Sequence, residues 1–138
     1  MKGQPAIRIA ITNEADIVTA RQSGRGLASD LGFSLTDTTL IATAISEVAR
    51  NITTYARRGE ILCEPIQGRR GHGLQVVATD DGPGIEDVDL ALQDGFSTGL
   101  GMGLGLPGAK RLMDEFEIDS EPGRGTKVSM RKWLPRSD

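Results

Sequence analysis

Four short constellations carry side chains able to do chemistry. In Glu47-Val-Ala-Arg-Asn51 a carboxylate and a carboxamide stand four residues apart, a spacing that puts them on one face of a helix. They continue the ladder Leu40, Ala44 along the edge of an apolar stripe, where half-buried apolar residues are expected. Polar groups in such a place need partners. One reading is a solvated rim with Glu47 paired to Arg50 at i,i+3. The other is a helix face presenting a general base and a metal ligand to a pocket, because a carboxylate abstracts protons and an amide oxygen suits hard Mg²⁺. The second constellation, Asp80-Asp-Gly-Pro-Gly84, follows a strand-like run. Gly82 and Gly84 permit a tight turn that brings backbone close to a ligand, and Asp80 can accept a hydrogen bond from an amine. A plain turn is the alternative.

The third constellation is the segment from Gly95 to Gly108, which holds six glycines; Gly99, Gly101, Gly103 and Gly105 alternate with Leu and Met before a helix-like run. Glycine amides unshielded by side chains and ending at a helix N-terminus suit phosphate. A flexible connector or a close-packed helix start is the other reading. The spacing is neither a Walker loop nor a dinucleotide-binding turn. The fourth, Glu121-Pro-Gly-Arg-Gly-Thr126, is a turn feeding a closing strand.

The elements that must position these residues are legible in outline. Ala6 to Ile11 is a strand candidate, and Thr12-Asn13 with Glu14 and Asp16 offers a helix start. Ile17, Ala20, Gly24, Leu27 and Leu31 mark a helix ending near Gly32, in which Gly24 and Gly26 are candidates for close packing. A second helix starts at Ser34 or Thr36 and runs to about Tyr55, with Ile41, Ile45, Val48 and Ile52 in its stripe. Two strands, 60–66 and 74–79, flank the polar turn GRRGHG and predict an antiparallel hairpin. A short helix near Val88 to Gln93, a helix from Leu104 to Phe116, and strands at 117–120 and 126–133 complete the chain. Mixed elements with hairpin pairs predict an α+β two-layer sandwich with a mixed, mostly antiparallel sheet.

Composition bounds the function. The 138 residues fit one domain over residues 1–138, and 38% hydrophobic content is enough for a core. Sixteen Lys plus Arg against nineteen Asp plus Glu leave −3, which argues against nucleic acid or an anionic membrane as partner. One cysteine, Cys63, excludes an intrachain disulfide, and one histidine, His72, excludes a multi-histidine zinc site. No apolar run approaches the roughly 18 residues of a membrane span, and no signal-peptide core is seen, so a cytoplasmic location is expected.

All four constellations, in this order over Glu47 to Thr126, resemble the ATP-binding boxes of the GHKL superfamily, which holds gyrase B, heat-shock chaperones, histidine-kinase catalytic domains and MutL. The segments ITNEADIVTARQSGRGLASDLGF, AISEVARNI, DGFSTGLGMGLGLPGAKRLMDEF and RKWL are similar to the small bacterial serine kinases of partner-switching, stressosome-type pathways. The resemblance implies a Bergerat-type fold with helices on one sheet face, and ATP and Mg²⁺ as cofactors. It implies phosphorylation of Ser or Thr on STAS-domain antagonists, then release to activate a downstream phosphatase or similar effector. Within it, Glu47 is the base toward the acceptor hydroxyl and Asn51 coordinates Mg²⁺. Asp80 accepts the adenine amine, Gly82 and Gly84 shape the adenine pocket, and Thr126 supports Asp80. Gly99, Gly101, Gly103 and Gly105 form the phosphate lid, with Lys110 one turn into the following helix.

One departure stands out. The related anti-sigma kinases carry a lid arginine near the γ-phosphate, and Gly101 stands at that position here. Transfer then leans on Mg²⁺ and Lys110 or on a partner's residue. The rival expectation is a nucleotide-gated binding switch that captures a scaffold, phosphatase or sigma factor with little or no kinase activity. The remaining rare residues read blandly: His72 as a solvated turn residue, Cys63 as small core, Trp133 as strand packing. Met102 packs either on the nucleotide or over a core gap.

Overall fold

The computed structural model describes residues 5–83 and 105–135. The first strand, β1 (Ile7–Ile11), leads into helix α1 (Glu14–Leu31) through a capped start. The Asn13 side chain accepts the Asp16 N–H at 3.0 Å, and Asp16 reaches back to the Thr12 N–H and hydroxyl at 2.8 and 2.9 Å. Those bonds from Thr12 hold the Asp16 carboxyl below the usual carboxylate range. Gly32, at φ 103°, closes the helix, and the Phe33 N–H returns to the Ala28 carbonyl at 3.1 Å. Helix α2 (Leu35–Tyr55) starts at Ser34, whose hydroxyl accepts the Asp37 N–H at 3.1 Å.

Strands β2 (Gly59–Gly68) and β3 (Gly71–Asp80) form the expected hairpin, but with only Arg69 and Arg70 outside the ladder. Gly68, Gly71 and His72 are paired, so GRRGHG is mostly strand. Helix α3 (Gly105–Leu112), β4 (Glu115–Ser120) and β5 (Thr126–Trp133) follow. The helix stops four residues short of Phe116 because the ladder to β5 captures the chain: the Asp114 N–H donates to the Arg131 carbonyl at 2.9 Å, and Phe116 pairs with Met130. The short helix expected near Val88 to Gln93 lies outside the described residues.

The five strands of the described residues run β1-β2-β3-β5-β4, and every neighbouring pair is antiparallel. Alternate residues therefore face opposite ways. Ile61, Cys63, Leu74, Val76, Ala78, Val128 and Met130 point to the helices and are buried with Ile17, Ile41, Ile45, Val48 and Ile52. This is a two-layer α+β fold. Gly24 lets α1 close on α2, since a Cβ there would collide with Ile45; Gly26 meets nothing within 4 Å, so only the first glycine packs. Cys63 is core, and burial pushes its thiol up to about 12. His72 is exposed. None of the described helices is long and apolar enough to cross a membrane.

The outer sheet face carries a polar network. Gln75 Nε2 donates to Glu64 Oε2 at 2.8 Å and Arg131 Nε donates to Gln75 Oε1 at 2.8 Å. Arg131 also reaches Glu115 Oε1 at 2.9 Å, and the Trp133 indole N–H reaches Glu115 Oε2 at 2.7 Å. Arg70 lies 5.8 Å over the Trp133 ring, so Trp133 packs on the strand as expected and also holds a carboxylate.

Candidate functional site

The α2 face comes first. Glu47 and Asn51 are both half-buried, between the buried Ala44, Val48 and Ile52, as the ladder predicts. Arg50 does not pair with Glu47. It turns to Glu14 at the start of α1, 3.3 Å away. Among the described residues no hydrogen bond or ion pair takes up the side chain of Glu47 or Asn51. One helix turn after Asn51, the chain end of α2 meets the turn that follows Asp80. A Cβ on Gly82 would stand 2.9 Å from the Tyr55 carbonyl oxygen and 3.0 Å from the Ala56 Cβ. A side chain at Gly82 would therefore push the Asp80 turn away from the helix that carries Asn51.

Asp80 ends β3, paired with Thr126 at the start of β5. Its carboxylate accepts the Gly82 N–H at 2.9 Å and the Thr126 backbone N–H. Burial raises its carboxyl above the usual value; the two N–H bonds oppose that, and the adjacent Asp81 adds to it. Thr126 thus supports Asp80 through its main chain, while its hydroxyl shares a 2.8 Å hydrogen bond with Ser120. A cavity of about 360 Å³ opens here, lined by Asp80, Ser120, Arg124, Gly125, Thr126 and Lys127 among others. That is within the size range of small-ligand clefts.

Two features of this end escape the four-box reading. Gly125 has φ 84°, and a Cβ there would collide with the Asp80 carbonyl oxygen. Only glycine brings β5 that close. Its signal was available as the glycine directly before Thr126. The second is a strap between Arg58 and Asp81: Arg58 Nε donates to Asp81 Oδ2 at 3.2 Å, and the Asp81 N–H returns to the Arg58 carbonyl at 3.3 Å. A pair 23 residues apart leaves no local pattern. The Gly123 N–H also reaches the Pro83 carbonyl at 2.6 Å, tying the β4–β5 turn to the Asp80 turn.

Gly105 is the first residue of α3, and Lys110 is exposed in its last turn. Gly84, Gly99, Gly101, Gly103 and Met102 lie outside the described residues. The described residues tie Asp80, Gly82 and Thr126 to one another and Gly82 to the end of α2, one turn after Asn51; Glu47 lies a further turn back on the same helix face. The packing of α3 on α2 brings Lys110 to the same layer.

The donor set suits one kind of metal. Among the described residues no group of three or more His, Cys, Asp or Glu forms a metal cage. A single half-buried amide oxygen beside a carboxylate fits Mg²⁺, which keeps most of its ligands as waters and substrate phosphates.

Residues 36–137 match the model of the histidine kinase-, DNA gyrase B-, and HSP90-like ATPase family. The chain is 51% identical over 134 residues to the serine/threonine-protein kinase RsbT of Bacillus subtilis (strain 168), covering 97% of this chain and 99% of that one. It is 33% identical over 122 residues to the anti-sigma F factor of Caldanaerobacter subterraneus subsp. tengcongensis, covering 86% and 85%. Among solved structures, the mycobacterial sensor histidine kinase MprB aligns with a TM-score of 0.58 at 16% identity, covering 96% of this chain and 100% of that one. The SiaB–SiaC complex from Pseudomonas aeruginosa aligns at 0.55 and 14% identity, covering 94% and 89%. Those two likenesses are of fold. With three quarters of its length on the family model and the fold to match, the chain belongs to the histidine kinase-, DNA gyrase B-, and HSP90-like ATPase family.

Proposed function

We propose that this chain is an ATP- and Mg²⁺-dependent protein serine/threonine kinase of a partner-switching pathway. Its substrates are STAS-domain proteins, and its release activates a downstream phosphatase or similar effector in the cytoplasm. The observation that carries the reading is the α2 face: Glu47 and Asn51 are half-buried side by side, and Arg50 is drawn off to Glu14. The 51% identity to a serine/threonine-protein kinase along nearly the whole chain supports the same reading.

The roles follow from position. Asp80, fixed by the N–H groups of Gly82 and Thr126, accepts the adenine amine. Gly82 and Gly125 keep that carboxylate against α2 and β5, and Gly84 completes the turn. Asn51 offers its amide oxygen to Mg²⁺, which when bound neutralises charge on the phosphates. The glycines Gly99, Gly101, Gly103 and Gly105 offer backbone N–H groups to the phosphates, and Lys110 adds a cation from α3. Glu47 takes the proton of the acceptor hydroxyl as its oxygen bonds to the γ-phosphorus; the bond to the β–γ bridging oxygen breaks and ADP leaves. No Lys or Arg occurs between Gly95 and Gly108, so transfer depends on few cations.

That sparse lid favours a second reading, a nucleotide-gated binding switch. The two separate cleanly. Glu47→Gln, incubated with labelled ATP and a STAS-domain protein, should lose transfer and retain ATP. A variant that captures the STAS protein as well as wild type, from a wild type that transfers nothing, would make the chain a switch.

A further inference from the structure

Lys132 is the one lysine among the buried residues of the described chain, 9% exposed on the helix side of β5. Its ammonium donates to the carbonyl of Leu112, the last residue of α3, at 3.1 Å, and stands 3.9 Å from Asp114 Oδ1. Asp114 is itself bound twice to the same strand. Its N–H donates to the Arg131 carbonyl at 2.9 Å, and its Oδ2 accepts the Trp133 N–H at 2.8 Å. Four polar links therefore fasten the C-terminal end of α3 to the last residues of β5, while the first residue of that strand, Thr126, holds Asp80.

A buried ammonium is unfavourable unless it is paired, and an apolar side chain fills the same space. What the ammonium adds is a fixed, charge-assisted contact to an otherwise unsatisfied helix carbonyl. The helix needs one. It has only eight residues, too short to hold itself. Its buried residues, Leu106 and Ala109 with Met113 beyond, pack on α2 through apolar contacts, to which the polar links add directional ties at the C-terminal end. The helix is about 12 Å long, so a tilt of about ten degrees about its C-terminal end moves its first N–H groups by about 2 Å. Displacements of about 1 Å at a reacting group can reduce rates about a hundredfold.

We propose that Lys132 is a positioning residue: it fixes the C-terminal end of α3 and so sets where the N-terminal N–H groups of that helix meet the nucleotide phosphates. This rests on the reading of the chain as an ATP-binding kinase. It predicts a selective defect, since the adenine end is held by Asp80 and Thr126 and not by α3.

The test measures adenosine and Mg²⁺–ATP affinities, and phosphate transfer to a STAS-domain protein, for wild type, Lys132→Met, Lys132→Arg and Asp114→Ala, with thermal unfolding as a folding control. For Lys132→Met the expected result is adenosine affinity within about twofold of wild type, ATP affinity down about tenfold, and transfer down about a hundredfold. Lys132→Arg, which keeps a donor, recovers most of the loss. Asp114→Ala, at an exposed position, shows the same selective pattern at about threefold in ATP affinity, and it decides the matter if Lys132→Met does not fold. Equal loss of adenosine and ATP in the folded variants, or no loss of either, overturns the proposal. A wild type that gains no affinity from the phosphates overturns the kinase reading and this inference with it.

Discussion

Glu115 and Asp80 are both strand-end carboxylates held by hydrogen bonds, and their surroundings push them in opposite directions. Glu115 begins β4 on the open sheet face. The Trp133 indole N–H and Arg131 hold its carboxyl below the usual range, and Arg70 adds to that. Asp80 ends β3 on the helix side, where burial wins over its two N–H bonds and raises its carboxyl. The first belongs to a network whose members satisfy one another, from Glu64 through Gln75 and Arg131 to Trp133. The second lines a cavity at the β3–β5 end, and the turn after it meets the end of the helix that carries Glu47 and Asn51, two side chains that no other side chain of the described residues engages. Polar groups that complete one another hold a sheet together. Polar groups held in place by backbone, with acceptor capacity to spare, are arranged for a ligand.

The contrast is open to experiment, and the largest effect belongs to the site. Glu47→Gln should lower phosphate transfer by about 10²- to 10⁴-fold, the range of a lost general base, with ATP affinity unchanged in a binding titration. Next comes Asp80→Ala, which removes a charged acceptor; nucleotide affinity should fall about tenfold to a hundredfold in the same titration. Gly125→Ala forces a side chain into a left-handed backbone position and against the Asp80 carbonyl. It should destabilise by about 1–3 kcal/mol on chemical denaturation and weaken nucleotide binding as well. The network should behave differently. Gln75→Ala should lower stability by only about 0.5–1.5 kcal/mol and leave nucleotide affinity alone.

Acid separates the two carboxylates by sign. Glu115, lowered in the folded chain, contributes stability above its unfolded value, and that contribution is lost as pH falls through its depressed folded value. Asp80, raised on folding, works the other way: its ionised form opposes folding, and protonation relieves this as pH falls through the raised value. On the proposed reading, in which Asp80 accepts the adenine amine, the same protonation removes that acceptor. Nucleotide affinity should therefore decline on the acid side at a higher pH than an unperturbed aspartate would set, before the network loosens. Affinity and unfolding measured side by side between pH 4 and 7 check this, and Asp80→Asn should abolish the affinity step.

What was legible in the sequence was local. Asn13 with Asp16, Ser34 as a candidate start and the closing Gly32 placed both long helices within a residue or two, because caps act within one turn. The Glu47–Asn51 face was readable for the same reason: helix periodicity alone puts the pair at the edge of the stripe. The end of α3 was not readable, because its length is decided by the pairing of Phe116 with Met130, and no helical pattern carries that. The Arg58–Asp81 strap and the Gln75–Arg131 contact, 23 and 56 residues apart, exist only once the sheet has formed. Gly125 was in plain view inside the fourth constellation, yet its need for glycine comes from the Asp80 carbonyl on the neighbouring strand. The choice of Arg50 for Glu14 over Glu47 likewise depends on how α1 crosses α2.

The central claim is that Asn51 and its neighbours form a Mg²⁺-dependent ATP site, and one titration tests it most directly. Labelled ATP is added to the wild-type chain and to Asn51→Ala, each with and without Mg²⁺. Binding that requires Mg²⁺ in the wild type and falls at least about tenfold in the variant, with both chains folded, is the predicted result. Equal binding by the two chains, or none by a folded wild type, would contradict it.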